Sequence, residues 1–414
     1  MMRLLYNLIT VLMLPWAALH LWLRSRRQPE YLQHIGERFA RYPAVDDSRP
    51  LIWIHAVSVG ESRAAEPLIV ALKQRYPQHR ILLTHMTPTG RATTSAVLDG
   101  CERRYLPYDT PWAVRRFLRH YRPQLGLIME TELWPNLIRA CKEIGVPLLL
   151  INARLSERSA RGYARLGALS RAALQELHGI VAQTEGDAQR LLQLGARNVS
   201  ACGNLKFDQK APPALSVFGQ QWRASLGTCP VVLCASTREG EEALILQAWH
   251  KARPNALLVI VPRHPQRFDE VVALAAQEGL ACGRRSMDMP NADVPVWVGD
   301  SMGEMAAYYA FADVAMIGGS LLDYGSQNLI EACAAGTPVL LGPSTFNFAD
   351  AAANALACGA AISVMDAEDF VAKATSLLKD DARRIAMSTA GREFAQAHRG
   401  ATGRTVTLIE GFLK

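Results

Sequence analysis

A chain of 414 residues, half of them apolar, is too long for a single hydrophobic core and predicts two domains. Its formal net charge of +7 is uneven, because residues 1–210 carry +12 and residues 211–414 carry −5. A basic first half suits an anionic lipid surface, and the lack of a nucleic-acid-binding motif argues against nucleic acid as the partner. The eight cysteines include no C-x-x-C pair and the ten histidines no metal-ligand spacing, so we expect reduced cysteines and no metal site.

The N-terminal segment is a candidate membrane anchor. Residues 4–23 contain no ionised side chain and are about as long as one bilayer span of ~20 residues. Arg24, Arg26 and Arg27 follow at once, which places the rest of the chain on the cytoplasmic side and does not match a cleaved signal peptide. We therefore expect a membrane anchor over residues 1–27. A helix that lies on the membrane, or is docked on the folded domain, remains the alternative.

Beyond the anchor, short apolar runs alternate with helical patterns, which predicts βαβ units and a mainly parallel sheet. The predicted strands of a first domain (28–208) are 51–57, 80–86, 103–107, 125–130, 147–152, 179–183 and 199–203. The helical patterns between them are 61–76, 111–121, 134–144, 156–178 and 187–194. Residues 209–229 break this rhythm and predict a linker region that contains one helix.

The same rhythm returns in a second domain (230–388). Its predicted strands are 230–235, 256–262, 294–298, 313–317, 338–341 and 360–364. Its predicted helices are 239–252, 266–278, 303–311, 327–335, 350–357 and 367–378. The fold class is therefore α/β, with two doubly wound Rossmann-like domains that we expect to face a cleft. A C-terminal helix within 389–414 is expected to cross back to the first domain.

Glu61 is the candidate catalytic residue. It follows the apolar strand 51–57 and Gly60, and it stands where a helix begins. Ligands of open α/β sheets bind beyond the carboxyl ends of the strands, so a general base is expected here. The alternative is that Glu61 only stabilises the positive end of the helix dipole, and this segment alone does not decide between them.

A second candidate site begins where the strand 313–317 ends. Gly318, Gly319 and Ser320 follow it, and backbone N–H groups at such a turn bind phosphate without a metal. Glu331, in the next helix, could accept hydrogen bonds from ribose hydroxyls, and Arg263 follows another strand end, where it could meet a phosphate. The alternative is a helix cap with glycines for tight packing.

Two familiar nucleotide motifs are missing. The sequence contains no G-x-x-x-x-G-K-[ST], and no G-x-G-x-x-G follows the first strand. Phosphoryl transfer of the ATP type and dinucleotide oxidoreduction are therefore disfavoured.

Long strings of residues, taken together, resemble the 3-deoxy-D-manno-octulosonic acid (Kdo) transferases of lipid A assembly. The likeness runs from the anchor nearly to the C-terminus. The strings are VSVGE at 57–61, MTPTG at 86–90, IMETELWPN at 128–136, NARLS at 152–156, LKFD at 205–208, VPRHP at 261–265, GDSMGE at 299–304 and PSTFNF at 343–348.

The resemblance implies an inverting glycosyltransferase of the GT-B type. It would move Kdo from CMP-Kdo to a lipid A precursor in lipopolysaccharide biosynthesis, without a metal or cofactor, at the cytoplasmic face of the inner membrane and in contact with membrane lipids. Glu61 would be the general base, and Glu130 and Lys206 would stabilise the transition state. The implied CMP-binding positions are Pro262, Arg263, Met302, Gly303, Glu304, Asn328, Leu329, Ile330 and Glu331.

Two rivals from other classes stay open. A sugar-nucleotide epimerase can share the architecture but needs no membrane anchor. A lipid-binding protein without catalytic activity would need no nucleotide site.

Overall fold

The computed structural model describes residues 2–26, 28–92, 96–210 and 212–413. The chain forms two compact units, one made of Met1–Gln209 with Arg399–Lys414 and the other of Lys210–His398. Each unit is built on a seven-stranded parallel sheet. The end residues 1 and 27 of the expected anchor, residue 211 of the expected linker and residue 414 lie outside the described residues.

All seven strands expected in the first domain are present in the first unit. They pair in the order β3-β2-β1-β4-β5-β6-β7, and winding reverses between β1 and β4. The strands are β1 (Leu51–His55), β2 (Arg80–His85), β3 (Glu102–Tyr105), β4 (Leu125–Met129), β5 (Leu148–Ala153), β6 (Gly179–Ala182) and β7 (Val199–Ala201).

Helices of the first unit cover both faces of this sheet. One buried apolar cluster packs around Trp53 and Phe117, and a second, on the other face, around Ile54 and Leu68. The helices are α1 (Met2–Leu12), α2 (Leu14–Ser25), α3 (Val59–Arg75), α4 (Pro88–Ala92), α5 (Pro111–Tyr121), α6 (Pro135–Ile144), α7 (Glu157–Arg165), α8 (Ala168–Glu176) and α9 (Glu185–Gln193).

The expected helix 156–178 is two helices, α7 and α8. The chain turns at Gly167, whose φ of 52° is left-handed and costs glycine little. The Ser170 hydroxyl bridges the break by donating a hydrogen bond to the Tyr163 carbonyl oxygen (2.7 Å).

The N-terminal segment is a bent pair of helices. α1 and α2 meet at an angle of 41°, and among the described residues no single helix has the length and apolar composition to cross a membrane, whereas this pair does when taken together. α1 also contacts the folded unit. The Tyr6 hydroxyl donates to Asp109 (2.8 Å), and the Arg3 guanidinium donates to the Pro135 carbonyl oxygen (2.8 Å).

The second unit contains the six expected strands and one more. β10 was not expected, because its three residues form no apolar run. The order is β10-β11-β9-β8-β12-β13-β14, with winding reversed between β8 and β12. The strands are β8 (Val231–Thr237), β9 (Leu257–Pro262), β10 (Cys282–Arg284), β11 (Val296–Val298), β12 (Val314–Ile317), β13 (Val339–Leu341) and β14 (Ala361–Ser363).

The expected linker 209–229 contains a helix of the second unit. Trp222 on α10 is fully buried, and the centroid of its ring lies 5.0 Å from the ring centroid of Tyr308 and 5.4 Å from that of Trp297. The helices are α10 (Pro213–Leu226), α11 (Glu241–Ala252), α12 (Phe268–Gln277), α13 (Met305–Phe311), α14 (Ile330–Ala335), α15 (Ala349–Ala357), α16 (Ala367–Leu378) and α17 (Asp381–Ala397).

The chain rejoins the first unit through α18 (Ala401–Glu410). The expected helix over 389–414 is interrupted at Gly400, which has a φ of 93°. The carboxylate of Asp208 accepts hydrogen bonds from the N–H groups of Gly400 (2.7 Å) and Thr402 (2.6 Å). Ile409 of α18 then joins the apolar cluster around Leu68 of α3.

Candidate active site

Glu61 lies in the first turn of α3, just beyond the carboxyl end of β1. Its side chain is held at both oxygens, because the Ser58 hydroxyl donates to Oε1 (3.0 Å) and the Val57 N–H donates to Oε2 (2.8 Å). Ser58 in turn caps the helix by accepting the Glu61 N–H. This reciprocal arrangement is close to a capping box, so Glu61 does serve the helix terminus.

The surroundings of Glu61 favour its neutral form. Burial, with the residue 9% exposed, and then the negative charge of Glu130 raise the pKa of Glu61 from 4.5 to about 7. The hydrogen bonds from Val57 and Ser58 oppose this rise, and Glu132 adds a smaller contribution to it. A carboxyl with a pKa near 7 can accept a proton efficiently at neutral pH.

Glu130 follows β4, the strand paired with β1 where the winding reverses. Such reversal points are where open α/β sheets bind ligands. The residue has a left-handed φ of 54°, uncommon for a side chain other than glycine, and its N–H donates to the Ile151 carbonyl oxygen (2.9 Å). Lys206 Nζ lies 3.5 Å from Glu130 Oε1. The structure thus brings Glu61, Glu130 and Lys206 to one edge of the first sheet.

Lys206 stands in a short 3₁₀ turn, Leu205–Asp208, after β7. Asn152 and Asn204 hold this turn through their side-chain oxygens. Sequence reasoning missed both residues as parts of the site. For Asn152 the signal available was an asparagine near the end of an otherwise apolar strand, a pattern that many core polar residues share, and for Asn204 it was only an asparagine before a short turn.

Two histidines lie beneath this edge. Burial lowers the pKa of His55 to about 3 and that of His85 to about 4, so both imidazoles are neutral at pH 7. His55 Nδ1 lies 3.0 Å from the Thr84 carbonyl oxygen, and His85 Nδ1 lies 2.8 Å from the Ala56 carbonyl oxygen. Both rings therefore carry their proton on Nδ1 and cannot supply positive charge to the site.

The expected donor-binding residues share one edge of the second sheet. Because the strands are parallel, segments that follow β9, β11 and β12 lie at the same carboxyl edge. The segments are Pro262 and Arg263 after β9, Met302, Gly303 and Glu304 after β11, and Asn328, Leu329, Ile330 and Glu331 after β12.

Side chains within this set are already oriented. Asn328 Nδ2 donates to Glu331 Oε1 (2.9 Å), and the Arg285 guanidinium donates to both oxygens of Glu304 (3.0 and 3.1 Å). Met302 is 56% exposed. Helix α14 begins at Ile330, three residues later than expected, so Glu331 lies in its first turn.

The double glycine does not offer the backbone donors that the sequence predicted. The N–H of Gly318 donates to the Ala235 carbonyl oxygen (2.8 Å), and that of Gly319 donates to the buried carboxylate of Glu241 (2.6 Å). The Ser320 hydroxyl is buried between the Ile317 carbonyl oxygen and the Gly342 N–H. Both N–H groups are therefore already paired within the second unit, and the assignment of Gly318, Gly319 and Ser320 to the CMP site stays a prediction.

Glu241 occupies the place predicted for the phosphate. Its two oxygens accept from the N–H groups of Arg238 (2.8 Å), Gly319 (2.6 Å) and Leu321 (3.0 Å). Gly318 is required for close packing, since a Cβ there would lie 2.5 Å from the Ser236 carbonyl oxygen. The tight-packing alternative thus describes this turn.

Across the described ranges 2–26, 28–92, 96–210 and 212–413, no three or more His, Cys, Asp or Glu side chains are grouped as metal ligands would be.

Comparison with known proteins identifies the family. A family model described as 3-deoxy-D-manno-octulosonic-acid transferase matches residues 33–209, and one described as glycosyl transferases group 1 matches residues 243–394. The 3-deoxy-D-manno-octulosonic acid transferase of Bordetella pertussis is 45% identical in sequence, and the match spans 96% of this chain and 96% of that transferase. The chain belongs to the Kdo transferase family. The Kdo transferase of Haemophilus influenzae is 35% identical and covers 100% of this chain and 99% of its own.

Solved structures are similar to this family member in fold. A glycosyltransferase from Rickettsia africae covers 89% of the chain and 100% of its own, with a TM-score of 0.59 and 13% identity. The match to a UDP-GlcNAc 2-epimerase from Neisseria meningitidis spans 87% of this chain and 100% of the epimerase chain, with a TM-score of 0.59 and 17% sequence identity. The epimerase rival therefore shares the fold alone, whereas the Kdo transferases share the sequence.

Proposed function

We propose that this Kdo transferase family member moves Kdo from CMP-Kdo to a lipid A precursor, with Glu61 as the general base. The observation that carries the proposal is a buried carboxyl with a pKa of about 7 at the point where the winding of the first sheet reverses. Family membership supports the transferred sugar, and the motifs at 57–61, 128–136 and 205–208 support the acceptor-side roles.

The proposed reaction is a single displacement with inversion. An acceptor hydroxyl oxygen attacks the anomeric carbon of Kdo, Glu61 takes the hydroxyl proton, and the bond to CMP breaks so that CMP leaves with the electron pair. The carboxylate of Glu130 stabilises positive charge on the sugar, Lys206 helps to stabilise the transition state, and the cation of Arg263 stabilises the leaving phosphate. The double glycine has no part in this proposal, because Glu241 already uses the Gly319 N–H.

The donor is assigned to the second unit. Glu331, oriented by Asn328, is proposed to accept hydrogen bonds from the ribose hydroxyls of CMP, and Arg263 to contact the phosphate. These cations and hydrogen bonds take the part that a divalent metal plays in many sugar transfers, so we propose that the reaction needs no metal. Turnover should survive exhaustive chelation, and a loss that magnesium restores would contradict this point.

The acceptor and the membrane are assigned to the first unit. We propose that α1 and α2 associate with the cytoplasmic face of the inner membrane, because their apolar side chains are exposed: Leu4 is 74%, Leu12 67% and Trp16 57% exposed. A lipid A precursor carries phosphates and acyl chains, so it would meet the basic first unit at that surface.

Incubation of the purified protein with CMP-Kdo and a lipid A precursor tests the function, with products weighed by mass spectrometry. Wild type should add Kdo to the precursor and release CMP. Glu61→Gln should lower the rate by about 10²–10⁴-fold while CMP binding, measured by calorimetry, persists. Glu66→Gln makes the same chemical change on the same helix and is the matched control.

Three results would contradict the proposal. Normal turnover of Glu61→Gln would remove the general-base role. CMP binding without transfer of any sugar would contradict the activity, and lipid binding without CMP binding would favour the non-catalytic lipid-binding alternative.

A further inference from the structure

Asn152 is an unusual residue near the end of β5. It is 1% exposed and has a left-handed φ of 52°, which asparagine tolerates better than most residues other than glycine. The pairing of β5 with β6 shifts register between Leu150 and Ala153, where Asn152 lies. A strained, buried polar residue beside a candidate site suggests a task for its side chain.

The side chain of Asn152 begins a chain of amide hydrogen bonds. Asn152 Oδ1 accepts the Leu205 N–H (3.0 Å), and the Asn152 carbonyl oxygen accepts from Gln183 Nε2 (3.0 Å). Gln183 Oε1 accepts from Asn204 Nδ2 (3.0 Å), and Asn204 Oδ1 accepts the Lys206 N–H (3.0 Å). Three side-chain amides thus hold the backbone at Leu205 and Lys206.

The turn that carries Lys206 needs such support. It is a 3₁₀ turn of four residues, Leu205–Asp208, and such short turns have poor hydrogen-bond geometry of their own. A lysine side chain is long and flexible, so the position of its ammonium depends first on a fixed backbone. The observed distance of 3.5 Å between Lys206 Nζ and Glu130 Oε1 requires both backbones to stay in place.

We propose that Asn152, Gln183 and Asn204 form an amide clamp that positions Lys206 for sugar transfer, with Asn152 as its anchor on the sheet. This inference rests on the proposed role of Lys206. The clamp residues act through Lys206 and do not touch the reacting atoms, so they are positioning residues. The competing explanation is that they stabilise the end of the sheet and nothing more.

Asn152→Gly is the principal variant. Glycine keeps the left-handed backbone and removes Oδ1, so the Leu205 N–H loses its acceptor. Misplacement of a charged group by about 1 Å costs on the order of 10²-fold in rate. We therefore expect kcat to fall about 10–100-fold with the KM for the acceptor little changed. Asn204→Ala removes the acceptor of the Lys206 N–H without touching Asn152, and it should give the same pattern.

Asn198→Gly is the matched control. Asn198 has the same residue type and a similar left-handed φ of 51° in the same unit, but it is exposed and its side chain donates to the His178 carbonyl oxygen. This variant should keep the wild-type kcat. Hydrogen exchange should speed up at the Leu205 and Lys206 amides in Asn152→Gly and stay unchanged there in Asn198→Gly.

A double-mutant cycle with Lys206→Ala, measured in single turnovers, decides between positioning and general stabilisation. If Asn152 acts through Lys206, Asn152→Gly should have little effect in the Lys206→Ala background, because the group that it positions is gone. If the two rate losses multiply instead, the clamp proposal is overturned. Wild-type kcat in both Asn152→Gly and Asn204→Ala would overturn it as well.

Failure of the underlying function gives a different result. If Lys206→Ala alone turns over normally, the role proposed for Lys206 is wrong, whatever the Asn152 variants do. If Asn152→Gly does not fold, Asn204→Ala takes its place in the same cycle.

Discussion

The ionisation of Glu61 depends on residues far from it in the sequence. Glu130 raises its pKa because β1 and β4 are neighbours in the sheet, although three helices and two strands separate them along the chain. The sequence could place Glu61 beyond a strand end, since strand, glycine and helix follow one another locally. It could not predict the raised pKa, because the order of the strands is a property of the folded unit.

A first prediction concerns the pH dependence of the rate. Glu61 must be ionised to accept a proton, so kcat/KM should rise with pH through a midpoint near 7. Glu130→Gln removes a negative charge that raises this pKa, so the midpoint should move to lower pH, even though the maximum rate also falls. Glu132→Gln is the control and should move it less, because Glu132 is the smallest contributor. An unchanged midpoint in Glu130→Gln would mean that the titrating group is not Glu61.

The same carboxyl should make stability fall as pH rises. Its pKa is about 7 in the folded protein and 4.5 for an ordinary glutamate. At pH values between these two pKa values, Glu61 holds a proton in the folded state that it has lost in the unfolded state. Folding stability therefore decreases with increasing pH in this range. The decrease is on the order of 3 kcal/mol when complete, above pH 7.

The second prediction follows from this decrease of folding stability with increasing pH. Glu61→Gln cannot ionise, so its melting temperature should exceed that of wild type by an amount that grows from pH 5 to pH 8. Thermal unfolding of both proteins across this range measures the difference. Glu66→Gln, on the same helix, is the control and should show no such growth. A constant difference for Glu61→Gln would show that Glu61 titrates normally.

At the scale of elements, the turn after β12 is organised by Glu241 at the start of α11. The carboxylate accepts three backbone N–H groups, two of them from the segment that follows β12. The strand followed by two glycines predicted a turn with backbone donors for an anion, and of the two glycine N–H groups only that of Gly319 donates to a carboxylate. The sequence could not show that the anion is a side chain of the protein, because Glu241 comes from a helix that precedes the turn by four strands (β9 to β12) and two helices (α12 and α13).

The third prediction tests this buried carboxylate. Glu241→Gln keeps one oxygen but turns an amide N–H toward a buried backbone donor, so it should destabilise the second unit by about 1–3 kcal/mol. Thermal unfolding measures the loss, and faster hydrogen exchange in β8 and β12 assigns it to the second unit. The exposed neighbour Glu239 supplies the control, Glu239→Gln. Wild-type stability of Glu241→Gln would mean that the turn does not depend on the carboxylate.

Most elements were predictable because buried parallel strands are nearly continuous apolar runs. β10 was missed because it is not such a run. Cys282–Arg284 contains a glycine and an arginine and is only partly buried. Gly283 is needed there, because a Cβ would lie 2.9 Å from the ring of Trp297. The break between α7 and α8 was missed because a single glycine within a helical pattern is also compatible with a continuous helix.

At the scale of the molecule, part of the basic charge of the first half lies on one face of α5. Trp112, Arg116 and Arg119 are exposed along it, and within the described residues neither arginine has an ion-pair partner. A cleft of about 670 Å³ is lined by this face, and a second of about 370 Å³ is lined jointly by Arg115 and by Arg3 of α1. Tryptophan and arginine together are typical of protein surfaces at the membrane boundary.

The fourth prediction concerns membrane binding. Arg116→Ala combined with Arg119→Ala should weaken binding to vesicles rich in anionic phospholipid, by about 1 kcal/mol for each arginine removed. Flotation at increasing salt measures it, and the difference from wild type should shrink as salt screens the charges. Arg253→Ala with Arg383→Ala makes the same charge change on exposed positions of the second unit and should have little effect. Equal loss in both pairs would indicate a response to net charge alone.

The return of the chain through α18 has a consequence for biosynthesis. Ribosomes make α3, which carries Glu61, long before α18, and all of Lys210–His398 is translated between them. Until α18 emerges, the apolar residues of α3 that pack beside Ile409 are not covered by it. Asp208, the last residue of the turn that carries Lys206, also lacks the N–H groups of Gly400 and Thr402 until then. The first unit can therefore be completed only after the second unit has been synthesised. A nascent chain from which Glu61 has already emerged thus does not yet hold a finished first unit.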